Sequence, residues 1–274
     1  MTSMKNKVAL ITGASRGIGR AIGEALGREG ATVAINYRSR PEEAEEAVRA
    51  VEQAGGIARA FHGDVAEIGD ITSLFDAVTA AFGGLDIVIA NAGVVRTAPF
   101  PTISEEHFDR EIDTNVRGVF FTVQKALPLM PDGGSIVLMS SIANVKGFPL
   151  FSLYAGTKAA VRSFARSWTS ELAERNIRVN TISPGPIDTP LPSKLGLPED
   201  ALAATLEGFA AQVPLGRRLG HADEVAKAAL FLASDDSSFV TGIDLAVDGG
   251  IAQVWWRART NPSQRRMPVS SEES

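Results

Sequence analysis

Short apolar runs in this chain alternate with longer amphipathic stretches, and that alternation fixes the fold class before any motif is read. The runs cover 8–12, 32–36, 58–62, 87–90, 135–139, 178–182 and 243–247. Between them fall helical patterns over 18–29, 41–54, 68–82, 108–130 (two helices), 152–175 and 222–233. A strand preceded and followed by a helix is covered on both faces, so it reads as unbroken Val, Ile and Leu rather than as alternating polar and apolar residues. The pattern predicts one α/β domain over residues 5–250, built on a doubly wound parallel sheet with helices on both faces. A chain of 274 residues that is 45 % hydrophobic can bury a core of that size. The segment 188–216, with prolines at 190, 192, 198 and 214, interrupts the alternation and is expected to be a substrate lid or binding loop. Residues 251–274, which turn polar and Arg-rich after Val254-Trp255-Trp256, are expected to form a largely disordered tail, with docking on a neighbouring subunit as the alternative.

Charge and residue usage narrow the chemistry. Lys and Arg number 27 against 32 Asp and Glu, a net charge of −5, which argues against nucleic acid or an anionic membrane as partner and for a small molecule. With no cysteine, disulfides, thiolate nucleophiles and iron–sulfur clusters are excluded. His62, His107 and His221 are scattered and show no HExxH pairing, so no metal is expected. The apolar run over 8–11 is far shorter than a signal-peptide core or a membrane span, and the protein is expected to be soluble and cytoplasmic.

Three local patterns carry reaction chemistry. Thr12-Gly13-Ala14-Ser15-Arg16-Gly17-Ile18-Gly19 follows the first strand and opens a helix. Glycines there permit a tight turn and bring backbone N–H groups and a helix N-terminus close to a pyrophosphate. Tyr154 and Lys158 stand four apart on one predicted helix, which puts phenol and ammonium on the same face. Ser141 lies just past the strand 135–139, at the C-terminal sheet edge where a parallel sheet opens its ligand crevice.

Taken in order, these patterns resemble the short-chain dehydrogenase/reductase family over residues 5 to about 250. The family's other marks are Asn91-Ala92-Gly93, Asn115, Pro184-Gly185 and Val247-Asp248-Gly249-Gly250. The resemblance implies a Rossmann fold with a seven-stranded sheet in the order 3-2-1-4-5-6-7, and a nicotinamide-dependent exchange between a ketone and a secondary alcohol. It assigns Tyr154 as acid–base, Ser141 as the holder of the substrate oxygen, Lys158 as support for the phenol and the nicotinamide ribose, and Asn115 as anchor of a proton-relay water. Lys158, together with the positive charge of the oxidised nicotinamide ring, is expected to lower the phenol's pKa toward the working range. The implied dinucleotide contacts are Gly13, Ser15, Arg16, Gly17, Ile18 and Gly19; Asn36, Tyr37, Arg38 and Ser39; Asp64 and Val65; Asn91, Ala92 and Gly93; Tyr154 and Lys158; and Pro184, Gly185, Ile187 and Thr189. A homotetramer with paired long helices is the implied assembly, a dimer the alternative.

After the second strand no carboxylate appears before Glu42, whereas an acid at that strand's end is the usual ligand of an NAD ribose. Arg16 and Arg38, with Ser39, can instead pair with a 2′-phosphate, so NADP(H) is expected over NAD(H). In the opposing reading the arginines are solvated and Asn36 holds NAD. Val94, Val95, Ile142, Phe148, Leu150, Phe151, Leu191 and Leu195 are the substrate-pocket candidates, all apolar, which fits a lipophilic ketone better than a sugar. A 3-oxoacyl thioester carried on an acyl-carrier protein is the alternative substrate, disfavoured because residues 127–134 hold no basic side chain. An NADP(H)-binding regulatory protein without catalysis is the alternative of another class.

Overall fold

The run Val8–Ile11 (β1) occupies the middle of a parallel sheet, with Thr32–Tyr37 (β2) on one side and Ile87–Ala90 (β4) on the other. The computed structural model describes residues 3–189 and 199–254. Outward from β2 comes Ile57–His62 (β3); beyond β4 come Ser135–Met139 (β5), Arg178–Pro184 (β6) and Asp244–Val247, the seventh strand of this sheet. Its order is the expected one.

Period-two geometry divides each strand between two cores. Ala9, Ile11, Ile87, Ile89, Val137 and Met139 face the helices Gly17–Arg28 (α1) and Pro41–Ala54 (α2) together with Ala222–Ala233. Leu10, Val88, Ala90, Ile136 and Leu138 face Ile68–Phe82 (α3), Gly118–Ala126 and Ser152–Glu171 (α6 in chain order). The central strands are buried on both sides, as their apolar runs require. At the edges the rule fails, because β3 and Asp244–Val247 each have one neighbour and stay partly exposed.

The helical stretch expected from residue 108 begins earlier and carries a defect. Ser104 accepts a hydrogen bond from the His107 N–H at 3.2 Å and starts Glu105–Ile112 (α4). Asp113–Arg117 then widens into a π turn before Gly118–Ala126 (α5) continues the same run. Single π turns inside α-helices commonly mark functional positions, and this one contains Asn115.

Between β6 and the last strand the sequence pattern misses two features. Ile187–Asp188 (β7) pairs with Gly220–His221 (β8) as a separate two-stranded sheet, and Glu199–Gln212 (α7) occupies part of the segment expected to be a loop. The helix preceding the last strand is therefore α8, and Asp244–Val247 is β9. Leu191, Leu195 and the tail from Trp255 onward lie outside the described residues.

Candidate active site

The C-terminal ends of β1, β2, β4, β5 and β6 open on one cleft of about 340 Å³. At its centre Gly13 takes φ +62°, and a Cβ there would stand 2.9 Å from Ala92 Cα, so only glycine lets the β1 loop lie against the β4 loop. Thr12 Oγ1 accepts the Asn91 and Ala92 N–H groups at 3.0 Å each, and Asn91 Nδ2 donates to the Thr12 and Gly13 carbonyls at 2.9 and 3.1 Å. Arg16 precedes α1 without a side-chain cap, so the first N–H groups of the helix point toward the cleft unopposed by the chain's own capping side chain. A glycine cradle beside an uncapped helix N-terminus suits a pyrophosphate.

Every expected dinucleotide residue lines this cleft: the glycine loop, 36–39, 64–65, 91–93, Tyr154, Lys158, and Pro184, Gly185, Ile187 and Thr189. Asn36 lines it in an unexpected capacity. Its buried side chain accepts from the Gly13 N–H at 3.2 Å and donates to the Gly63 carbonyl at 2.9 Å, so it ties the glycine loop to the end of β3. The far mouth carries Arg16, Arg38 and Arg40 together with two carboxylates. Glu43, in the first turn of α2, pairs with Arg16 at 3.6 Å and Arg40 at 2.6 Å, and Asp64 pairs with Arg38 at 3.4 Å. Absence of an acid at the β2 end therefore does not mean absence of an acid from the subsite; three guanidinium groups nonetheless outnumber two carboxylates there.

At the opposite end, β5 delivers Ser141 and α6 delivers Tyr154 and Lys158. Ser141 stands beside the phenol and acts to lower its pKa, and Lys158 Nζ lies 5.7 Å from the phenol ring centre. Lys158 is buried, and its ammonium donates to the Met139 carbonyl at 2.8 Å. Removal of water by the surrounding protein pushes the Tyr154 phenol up to about 12; the Ser141 hydrogen bond opposes that rise and the Glu111 carboxylate adds to it. Burial likewise lowers Lys158 to about 8, against the pull of Glu111. Desolvation thus dominates the phenol, and within the protein's own side chains Tyr154 holds its proton through the neutral range.

Asn115 is the one expected catalytic residue that does not line the cleft. Its Oδ1 accepts from the Val94 N–H at 2.8 Å, while Nδ2 donates to the Val94 carbonyl at 2.8 Å and Thr157 Oγ1 at 3.2 Å. It fixes the loop after β4 between the π turn and α6.

Val94, Val95, Ile142, Phe148 and Phe151 wall the chamber beside Tyr154, as expected, whereas Leu150 is exposed and outside it. Leu206 and Phe209 of α7 close the same wall. The sequence offered a signal for them, an Ala- and Leu-rich stretch over 201–211, which the flanking prolines obscured. Phe209, Phe148, Phe151 and Tyr154 form a file of edge-to-face rings with centres 5.9 to 6.2 Å apart. Among the described residues no group of three or more His, Cys, Asp or Glu could hold a metal, and no helix is long and apolar enough to cross a membrane.

Comparison with known proteins adds four findings. A family model described as enoyl-(acyl carrier protein) reductase matches residues 13–252. The chain is 40 % identical over 251 residues to 3beta-hydroxysteroid dehydrogenase 1 of Eggerthella lenta, covering 90 % of this chain and 94 % of that one. It is 38 % identical over 259 residues to the hydroxynaphthalene reductase-like protein Arp2 of Metarhizium brunneum, covering 90 % and 96 %. Among solved structures, the short-chain dehydrogenase/reductase from Serratia marcescens BCRC 10948 superposes with a TM-score of 0.84 at 32 % identity, covering 91 % of this chain and 99 % of that one.

Proposed function

The chain belongs to the short-chain dehydrogenase/reductase family of oxidoreductases, and from that premise we propose that it interconverts a lipophilic ring ketone and its secondary alcohol with NADP(H). The observation that carries the reading is the continuous cleft that runs from the Gly13 cradle to Ser141, Tyr154 and Lys158.

Bound NADP(H) would supply hydride to the substrate carbon, or accept it in the reverse direction. Gly13, Gly17 and the start of α1 would hold its pyrophosphate, and Arg16 and Arg38 would hold the 2′-phosphate through charge-assisted hydrogen bonds in exchange for their Glu43 and Asp64 partners. Tyr154 gives its proton to the carbonyl oxygen in reduction and takes it back in oxidation. Ser141 donates a hydrogen bond to the same oxygen, where negative charge develops as the carbon is reduced. Lys158, held by the Met139 carbonyl, keeps positive charge beside the phenol and binds the ribose. Asn115 positions the loop after β4 and anchors the water that returns a proton to Lys158.

The ring file Phe209–Phe148–Phe151 supports an apolar, flat substrate, and the names of the steroid and hydroxynaphthalene relatives support a ring carbonyl. The described part of segment 188–216 acts as the lid that closes on it through α7. A carrier-protein substrate is not favoured: Arg175 is engaged with Asp132 and the Leu127 and Met130 carbonyls, and Arg178 with Leu232, Ser234 and Ser237. The assembly is a homotetramer in which Phe120, Phe164 and Trp168, whose rings cluster on α5 and α6, lie beside the subunit contact.

The test is a panel of cyclic and steroid ketones followed by loss of dihydronicotinamide absorbance, with NADPH and NADH compared. The expected result is turnover of apolar ring ketones with a KM for NADPH at least about tenfold below that for NADH, and loss of that preference in Arg38→Ala. Turnover of acyl-carrier thioesters alone, or equal KM values, would contradict the substrate and the cofactor reading respectively.

A further inference from the structure

Ser141 serves a substrate oxygen only if its hydroxyl proton points into the cleft, and the short turn after it decides that direction. A hydroxyl has one proton and two lone pairs. Ser141 Oγ accepts the Ala143 N–H at 3.2 Å, which occupies one lone pair and leaves the proton for the cleft. Ser141 caps the 3-10 turn Ile142–Asn144, which the Asn144 N–H closes on the Ser141 carbonyl at 2.9 Å. A single turn is unfavourable on its own, so tertiary contacts must hold it.

Asn144 supplies those contacts. Its Nδ2 donates to Ser183 Oγ at 2.7 Å and to Ser140 Oγ and Asp244 Oδ2 at 3.1 Å each, while its Oδ1 accepts from Arg162 at 3.2 Å. Turned over, the amide would set Oδ1 against the Asp244 carboxylate and Nδ2 against the guanidinium, so only this orientation satisfies both neighbours. Asp244, the first residue of β9, has a side chain only 10 % exposed. Thr181 and Ser183 donate to its Oδ1 at 2.8 and 2.6 Å, and Arg162 Nε lies 3.5 Å from Oδ2. A carboxylate so enclosed needs that ring of donors. Arg162 stands four residues past Lys158 and eight past Tyr154, on the same face of α6. The cluster therefore joins β6, β9 and the catalytic helix to the turn behind Ser141, and Ser140 Oγ extends it to the Lys158 carbonyl at 3.0 Å.

We propose that Asn144, clamped by Asp244 and Arg162, is a positioning residue that directs the Ser141 hydroxyl at the substrate oxygen. The proposal rests on the ketone-reducing function above and deepens it. Asn144, Arg162 and Asp244 do not line the cleft, so they touch neither substrate nor dinucleotide; they act through the Ala143 N–H and Ser141 Oγ. Without the clamp the turn samples other arrangements and the hydroxyl spends part of its time pointed elsewhere. The charge that develops on the oxygen then loses its donor, a loss that falls on the transition state more than on bound substrate. The glycine cradle and the β2 end are held by other contacts, so dinucleotide binding is unaffected.

Ketone reduction by wild type, Asn144→Ala, Ser141→Ala and the double variant forms a cycle that separates positioning from general structural support. Asn144→Ala should lower kcat about tenfold with the KM for NADPH within about twofold of wild type, and Ser141→Ala should lower kcat about 100-fold. In the double variant the two losses should not multiply. Its kcat should lie within about twofold of Ser141→Ala, because no hydroxyl is left to direct. Arg162→Met, a change at a partly exposed side chain, carries the same cycle if Asn144→Ala does not fold. It should lower kcat about threefold when Ser141 is present and leave Ser141→Ala unchanged. A wild-type kcat in Asn144→Ala, a change in the NADPH KM alone, or a further loss of about tenfold when Asn144→Ala is added to Ser141→Ala would overturn the proposal. So would Arg162→Met with a wild-type kcat, or with the same loss in both backgrounds. Retained reduction in Tyr154→Phe would instead sink the functional reading itself, so the two failures are distinguishable.

Discussion

Lys158 shows how a single buried side chain links stability to catalysis. Its pKa falls from 10.5 to about 8 on burial, so between those values the folded chain binds fewer protons than the unfolded one and stability rises with pH. Keeping the ammonium charged at neutral pH costs about 3 kcal/mol, and the cost is relieved as pH climbs from 8 toward 10.5. Urea unfolding of wild type against Lys158→Met should show wild type gaining on the variant across that window, since Tyr154 is common to both proteins. A difference that stays flat with pH contradicts the assignment. The KM-normalised rate for NADPH should in turn fall above about pH 8, as the free enzyme loses the Lys158 charge. None of this was readable from the Tyr154–Lys158 spacing alone. Spacing gives proximity, and proximity predicts a lowered phenol; the raised value comes from removal of water, which depends on side chains far apart in the chain.

The elements that carry the site were far more legible than their details. Strand ends fall within a residue or two of the apolar runs because a strand covered on both faces has no other composition open to it. Pairing of β7 with β8 was not readable: two-residue strands have no period, and they form because tertiary structure brings 187–188 against 220–221. Glu43 escaped for a related reason. It reaches the dinucleotide subsite from the first turn of α2, whereas the sequence reading attended to the end of β2. Asn36 makes a sharper test at this scale. Its amide satisfies the Gly13 N–H and the Gly63 carbonyl, so Asn36→Ala leaves both unpaired near the sheet. Denaturant titration should show a loss of about 1–3 kcal/mol, and the KM for NADPH should rise with little change in kcat. An unchanged KM would mean that the loop holds its shape without this clamp.

Across the whole molecule, two cores on opposite faces of one sheet hold the dinucleotide half and the catalytic half in a fixed relation. Leu10 is fully buried on the face of α3, α5 and α6, while its neighbours Ala9 and Ile11 serve the other core. Leu10→Ala should therefore cost about 2–5 kcal/mol in urea unfolding, with the KM and kcat of the surviving folded enzyme near wild type. A smaller loss would mean that the cores repack across the sheet. The proposed reaction requires that one cleft join a hydride site to a phenolic proton donor, and Tyr154→Phe is its sharpest test. With NADPH and the best ketone of the panel, the variant should bind NADPH as wild type does by fluorescence titration and reduce the ketone at least about 100-fold more slowly. Reduction near the wild-type rate by a folded, NADPH-binding Tyr154→Phe protein would contradict it.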